Sequence, residues 1–211
     1  KYMSEIKTDP DIFQQCTDTI VRQVGDIGRM VDEFSSFARM PNPVMKPESL
    51  SKLLREAVFL QQQAHREIVF ETAFPEKDIV FNLDAGLLSQ AFINLLQNAV
   101  DAIDGREGEG NPIGKISLCF EEADEKALIV IEDNGRGLPV KERERLTEPY
   151  VTTRSKGTGL GLAIVARIIE QHGGILRLSD RNGHMGAKIT IILPRDNTTV
   201  DIIPSTEIRE H

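Results

Sequence analysis

Three short segments in a fixed order constrain this chain more than anything else in it. Asn94-Leu95-Leu96-Gln97-Asn98-Ala99 comes first, Asp133-Asn134-Gly135-Arg136-Gly137 second, and Lys156-Gly157-Thr158-Gly159-Leu160-Gly161-Leu162 last. Each alone is commonplace. Together they supply a carboxylate for a purine amine, amide oxygens for a hard cation, and unpaired backbone N–H groups at a helix start for phosphate. That is the inventory of an ATP site.

Composition bounds the setting. The chain has 211 residues, 40% hydrophobic and 27% charged, which reads as one globular core plus an appendage. A formal net charge of -8 argues against a nucleic-acid surface. The two cysteines, Cys16 and Cys119, have no metal-like or disulfide-framework spacing, which favours a reducing compartment. No apolar run approaches the roughly 20 residues of a membrane span. Opening on Lys1 without an initiator methionine or signal peptide points to a piece of a longer chain. The expected location is cytoplasmic, with any membrane anchor of the parent protein outside this stretch.

Periodicity divides the chain. From Asp11 to Arg39, the residues Phe13, Cys16, Ile20, Val24, Ile27, Val31, Phe34 and Ala38 step by three or four, predicting one long amphipathic helix. Only the step from Ile20 to Val24 breaks the heptad alternation, as a stutter does. Pro41-Asn42-Pro43 stops the pattern. A helix packed on its own domain would look similar, but a stripe this long suits a bundle helix awaiting partners. Beyond Pro47, the expected elements are a helix capped by Ser49, strands at 68–72 and 79–83, and a helix opened by Asp84. A hairpin at 116–131, a helix from Gly159 to His172 and a last hairpin at 175–193 follow. This order predicts an α+β fold, a two-layer α/β sandwich whose mixed sheet carries helices on one face, preceded by one long bundle helix. The expected domains are 1–45, 46–195 and a flexible tail at 196–211.

Asn94 and Asn98 stand four apart, so both project from one helix face amid the apolar residues Leu95, Leu96 and Ala99. An ordinary polar face would read the same, but an asparagine beside an apolar stripe needs a hydrogen-bonding reason. Asp133 follows a buried-looking strand. Its carboxylate would accept from the amine of adenine, where guanine presents an oxygen. Asp-Asn-Gly is equally a good turn sequence. The Gly157–Leu162 segment runs straight into an apolar helix, which makes a phosphate cradle. It is neither a P-loop nor a Rossmann turn. The stretch from Leu138 to Lys156 lacks a strong period and has the length of a lid. Within it, Tyr150, Thr153 and Arg154 could pack on the base or reach a phosphate.

These motifs resemble the N, G1, F and G2 boxes of sensor histidine kinases, in the superfamily shared with gyrase, Hsp90 and MutL. The resemblance covers about Pro47 to Pro194 and implies a Bergerat-type ATP-binding domain. Thr152-Thr153-Arg154 ahead of the glycine loop, and Arg29 to Arg39 in the long helix, are similar to nitrogen-regulation sensors of the NtrY/NtrB type. The resemblance implies Asn98 as magnesium ligand, Asn94 beside it in a catalytic role, and Asp133 as adenine anchor supported by Thr190. The remaining nucleotide contacts it implies are Ala102, Gly135, Gly137, Leu138, Tyr150, Thr153, Arg154, Lys156, Gly157, Thr158, Gly159, Leu160, Gly161 and Leu162. Its cofactors would be ATP and Mg2+. Its partners would be a response-regulator receiver domain and, through the helical hairpin, a second copy of the full-length protein. No nucleic-acid or membrane contact is expected of these residues.

Three departures bear on mechanism. The histidines are His65, His172, His184 and His211, and none lies in the acceptor context of the family, a helix position followed by acid, asparagine and proline. His65 is expected at the surface, His172 as a helix C-cap and His184 in a turn. Asp101 stands where many sensor kinases carry a lysine, so Arg136, Arg154 or Lys156 would have to meet the phosphates. Tyr150 occupies a region that often holds phenylalanine. ATPases of the superfamily use a glutamate at the position of Asn94, and an amide is no base for water. The expected function is ATP-dependent phosphoryl transfer to a histidine on a helix outside this chain, relayed to a response-regulator aspartate. A serine protein kinase, a conformational ATPase or a nucleotide-binding interaction module are the alternatives.

Overall fold

The computed structural model describes residues 10–38, 40–106, 108, 110–139, 143–151, 158–181 and 183–195. The chain separates into two compact units at Pro41 and Asn42. The sequence placed that boundary at 45/46. It falls earlier because the second unit already holds Val44, whose N–H donates to Asp84 Oδ2 at 2.8 Å.

Among the described residues, the first unit contains the helix α1 (Pro10–Ala38). Proline suits its first position, where the missing N–H would have no intrahelical partner. The second unit begins with β1 (Lys46–Ser49), which the sequence reading missed. Its residues Lys-Pro-Glu-Ser carry no strand pattern. It forms because β3 (Val80–Leu83) offers an edge, pairing Lys46 with Leu83 and Ser49 with Val80. Next comes α2 (Leu50–Ala64), capped as expected by Ser49 accepting from Lys52 N.

The main sheet has strand order β2-β4-β5-β7-β6. Its strands are β2 (Val69–Ala73), β4 (Lys115–Ala123), β5 (Lys126–Asp133), β6 (Ile175–Asp180) and β7 (Ala187–Pro194). β2 runs parallel to β4 and every other pairing is antiparallel, so the sheet is mixed. Strict alternation in β5 and β7 buries Ile129, Ile131, Ile189 and Ile191 on one face. The helices α2, α3 (Ala85–Asp104) and α4 (Gly161–Gln171) pack on that face. This is the two-layer sandwich that the sequence predicted.

α3 is the central element. Leu88, Phe92, Leu95, Leu96 and Val100 are completely buried, and each such side chain contributes about 1.5–3 kcal/mol. α4 ends in a Schellman arrangement, with Gly173 at φ +65°, Gly173 N–H on Glu170 O and Gly174 N–H on Ile169 O. No helix among the described residues is long and apolar enough to cross a membrane.

Candidate nucleotide site

The site lies where the end of β5, the C-terminal half of α3 and the start of α4 lead. Asp133 is the last residue of β5, only 4% exposed. It shares the helix-covered face with Ile131, so its carboxylate points into the core layer. Its Oδ1 accepts from Gly135 N at 2.8 Å and Ala187 N at 3.3 Å. Backbone N–H donors of this kind favour the ionised, acceptor-only form.

The glycines here are steric requirements. A Cβ on Gly135 would lie 2.5 Å from the Ala102 carbonyl carbon, because Arg136 N–H donates to Ala102 O and draws the turn onto α3. Gly186, at φ +131°, leaves no room for a Cβ against the Asp133 carbonyl oxygen. Ala102, Asp133, Gly135 and Gly137 thus form one contiguous wall, with Gly186 and Ala187 behind the carboxylate.

Register corrects one expectation. Val130 pairs with Thr190, and Ile131 with Ile189. Opposite residues in an antiparallel pair share a face, and faces alternate along a strand. Thr190 therefore faces away from Asp133, on the face of the sheet opposite α2, α3 and α4, and cannot support its carboxylate. The Ala187 amide takes that place. The Thr190 role was implied by the family resemblance, which carries no register for this strand.

Asn94, Asn98 and Asp101 form a half-exposed stripe along α3, with Ala102 buried beside it. Gln97 Nε2 donates to Asp101 Oδ1 at 2.8 Å, one turn along the helix. Among the described residues, no group of three or more His, Cys, Asp or Glu side chains could hold a metal. A magnesium ion at Asn98 would complete its shell from phosphate and water, which is how this ion is usually held.

At the start of α4, the N-cap Leu160 offers no side-chain hydrogen bond, so the first amides keep their donor capacity. Thr158 Oγ1 accepts from Leu160 N at 3.3 Å, and Gly159, at φ +72°, lies against the Tyr150 backbone. Tyr150 itself has φ +67° and donates its N–H to Gly159 O. Gly161 and Leu162 open the helix, half-exposed, and Leu138 is half-exposed beyond Gly137. Thr153, Arg154, Lys156 and Gly157 lie outside the described residues. In the expected lid, the short 3-10 turn Arg143–Arg145 is clasped to β6 by two hydrogen bonds from Arg143 to Asp180, at 2.9 and 2.7 Å.

Two polar side chains hold the frame of the site. Asn134 accepts from Lys115 N and donates to Ile113 O, both at 2.8 Å, clamping the loop before β4 against the Asp133 turn. His172 caps α4 as expected, and it is buried, 2% exposed. Burial holds its pKa below the usual 6.5, against the opposing pull of the Ile168 carbonyl and the Asp84 carboxylate.

The family described as histidine kinase-, DNA gyrase B- and HSP90-like ATPases matches residues 83–197, from the end of β3 through the last strand. The chain belongs to that family. Within it, the chain is 49% identical over 193 residues to the nitrogen regulation protein NtrY of Azorhizobium caulinodans, covering 92% of this chain and 25% of that protein. The chain therefore spans about a quarter of the length of that relative. Among solved members, the catalytic domain of histidine kinase ThkA is 30% identical with a TM-score of 0.62, covering 72% of this chain and 96% of that one. Full-length ShkA in complex with AMPPNP is 27% identical with a TM-score of 0.70, covering 86% of this chain and 38% of that one. The resemblance to sensor histidine kinases of NtrY type is the one that the motifs implied.

Proposed function

We propose that residues 46–195 are the ATP-binding catalytic part of a sensor histidine kinase. They would bind Mg-ATP and transfer its γ-phosphoryl group to a histidine on another helix, for relay to a receiver-domain aspartate. The observation that carries this reading is the Asp133 carboxylate. It is buried, held by two backbone N–H groups, and fixed in place by glycines that let its turn close onto the Ala102 backbone and onto Gly186. Such an acceptor recognises an exocyclic amine and disfavours a carbonyl. The AMPPNP held by ShkA supports the same ligand class here.

The uncapped start of α4 would meet the phosphates, together with Thr158, Gly159 and the Thr153–Gly157 segment. Asn98 would hold magnesium, whose contribution when bound is to neutralise charge on the phosphate oxygens. Asn94 would orient ligands through its amide. Being no base, it disfavours attack by water and favours transfer to a protein nucleophile. Residues 1–45 would supply the second helix of a dimerisation hairpin, and a receiver domain would dock on the assembled protein.

Asp133→Asn replaces an acceptor with a donor facing the adenine amine. ATP affinity should fall by about 1–3 kcal/mol, while GTP competes poorly with the parent protein. Titration calorimetry with Mg-ATP checks this. Unchanged affinity in Asp133→Asn, or GTP binding as well as ATP, would remove the adenine assignment.

A further inference from the structure

At the ends of α3 and α4 away from the nucleotide site, three segments meet on one residue. Asp84 is the N-cap of α3, with Oδ1 accepting from Leu87 N at 3.0 Å. Its other oxygen, Oδ2, accepts from Val44 N at 2.8 Å, two residues into the second unit and just after the end of the α1 unit. Its own N–H donates to His172 Nε2 at 3.0 Å. His172 Nδ1 lies 2.7 Å from Ile168 O, one turn back in α4.

These partners fix the tautomer. Nε2 accepts, so Nδ1 carries the proton and donates to the carbonyl. The ring is neutral and 2% exposed. A linker amide, the cap of the helix that carries Asn94 and Asn98, and the tail of the helix that begins at the glycine loop therefore share one hydrogen-bonded chain. Each link has a single fitting polarity, N–H to carboxylate and N–H to imine nitrogen: the Val44 link lies at the surface, and the links at Leu87 and His172 are partly buried.

We propose that Val44, Asp84 and His172 form the joint through which the linker after α1 and the nucleotide helices sense one another. Asp84 and His172 would act as positioning residues for bound nucleotide. A helix moves as a stiff rod, so a shift of Asp84 is felt at Asn94 and Asn98 along α3. A shift of His172 is likewise felt at Gly161, eleven residues up α4. Coupling of this kind is reciprocal. Nucleotide that steadies the start of α4 must tighten the Val44 hydrogen bond by the same factor that a steadied linker tightens nucleotide. The nucleotide half of the inference rests on the ATP-binding reading above.

The test follows the Val44 amide by residue-resolved hydrogen exchange in the full chain, with and without magnesium and AMPPNP. His172→Gln places an amide oxygen near the Nε2 position and keeps an acceptor. His172→Leu keeps volume but accepts nothing. Asp84→Asn keeps a capping oxygen but sets an NH2 donor against the Val44 donor or the Leu87 donor. In the parent protein and His172→Gln, AMPPNP should slow Val44 exchange by about fivefold or more. In His172→Leu and Asp84→Asn the nucleotide should leave Val44 unchanged while still protecting the first turn of α4.

Without nucleotide, Val44 should exchange faster in His172→Leu than in the parent protein. Equal protection of Val44 in His172→Leu would overturn the joint. Protection confined to α4 in the parent would do so too. Failure of AMPPNP to protect any residue of the parent would instead remove the ATP reading, and the nucleotide-free comparison of His172→Leu with the parent would still decide the joint. If His172→Leu does not fold, Asp84→Asn against His172→Gln carries the same comparison.

Discussion

α1 and α3 are both amphipathic helices, and the sequence announces them with the same three-four periodicity. Their fates differ. In α3, Leu88, Phe92, Leu95 and Leu96 are fully buried, with a side-chain cap at one end and Gly105 at the other. In α1, Phe13, Ile20, Val24, Ile27 and Val31 are each more than half exposed. Gly25 and Gly28 sit in the α1 interior with open space around them, and each lowers helix stability by about 0.5–1 kcal/mol relative to alanine. Periodicity thus tells that a helix has an apolar face. It does not tell whether the covering surface is in the same chain. For α3 it is the sheet. For α1 the apolar stripe fits a partner outside these residues, as a dimerisation hairpin would supply.

The largest expected effect breaks α3. Phe92→Ala removes a fully buried ring between helix and sheet and should cost about 3–5 kcal/mol, measured by urea unfolding of the second unit. A loss below 1 kcal/mol would mean that the α3 face is no better packed than that of α1.

Gly186→Ala comes next. The new methyl would overlap the Asp133 carbonyl, and φ +131° is closed to alanine. About 1–3 kcal/mol should be lost, with a weakened hold of the Ala187 amide on the Asp133 carboxylate and hence weaker nucleotide binding. Intact ATP affinity together with unchanged stability would show that the turn behind Asp133 has slack.

Much of the fold was legible because it depends on patterns local in sequence. Alternation marked β4, β5 and β7. The Ser49 and Asp84 caps marked helix starts, and Gly105 and Gly173-Gly174 marked ends. Within the site, Asp133, Gly135 and the Asn94 and Asn98 spacing showed themselves through residue type and interval. What stayed hidden depends on contacts between distant residues. β1 has no pattern of its own and exists because β3 offers an edge. Asp84 and His172 are 88 positions apart, and nothing in either neighbourhood points to the other. Thr190 was misplaced because choosing a face of β7 requires its register with β5, which no single strand carries.

A smaller effect concerns pH. The folded pKa of His172 lies below the unfolded value near 6.5, because burial disfavours the charged ring. Above 6.5 both states are neutral and stability is full. As pH falls below 6.5 the unfolded chain takes up a proton that the native ring refuses, so stability declines until the folded pKa is passed. For Asp84, burial pushes the pKa up, but the Leu87, Val44 and Gly86 amides and His172 outweigh it and leave the pKa below 3.8. Its contribution is thus present throughout the His172 window and is lost only in stronger acid. Unfolding measured at pH 7.5 and 5.5 should show a decline that His172→Gln makes shallower. An identical slope in the two proteins would show that His172 is not the group responsible.

The smallest effect is expected where the apolar side chain is already in water. Ile20→Ser in α1 removes a residue that is 62% exposed, so in a dilute monomer its cost should stay within about 0.5 kcal/mol, as for other surface changes. The contrast with Phe92→Ala is the comparison of the two helices reduced to one number each. Concentration sharpens it. If a second copy covers the stripe, the unfolding midpoint of the parent rises with protein concentration and that of Ile20→Ser does not, because binding only the folded state stabilises it by mass action. If both midpoints are independent of concentration up to the solubility limit, copies of this chain do not cover the stripe. The cover for the stripe must then be something other than a second copy.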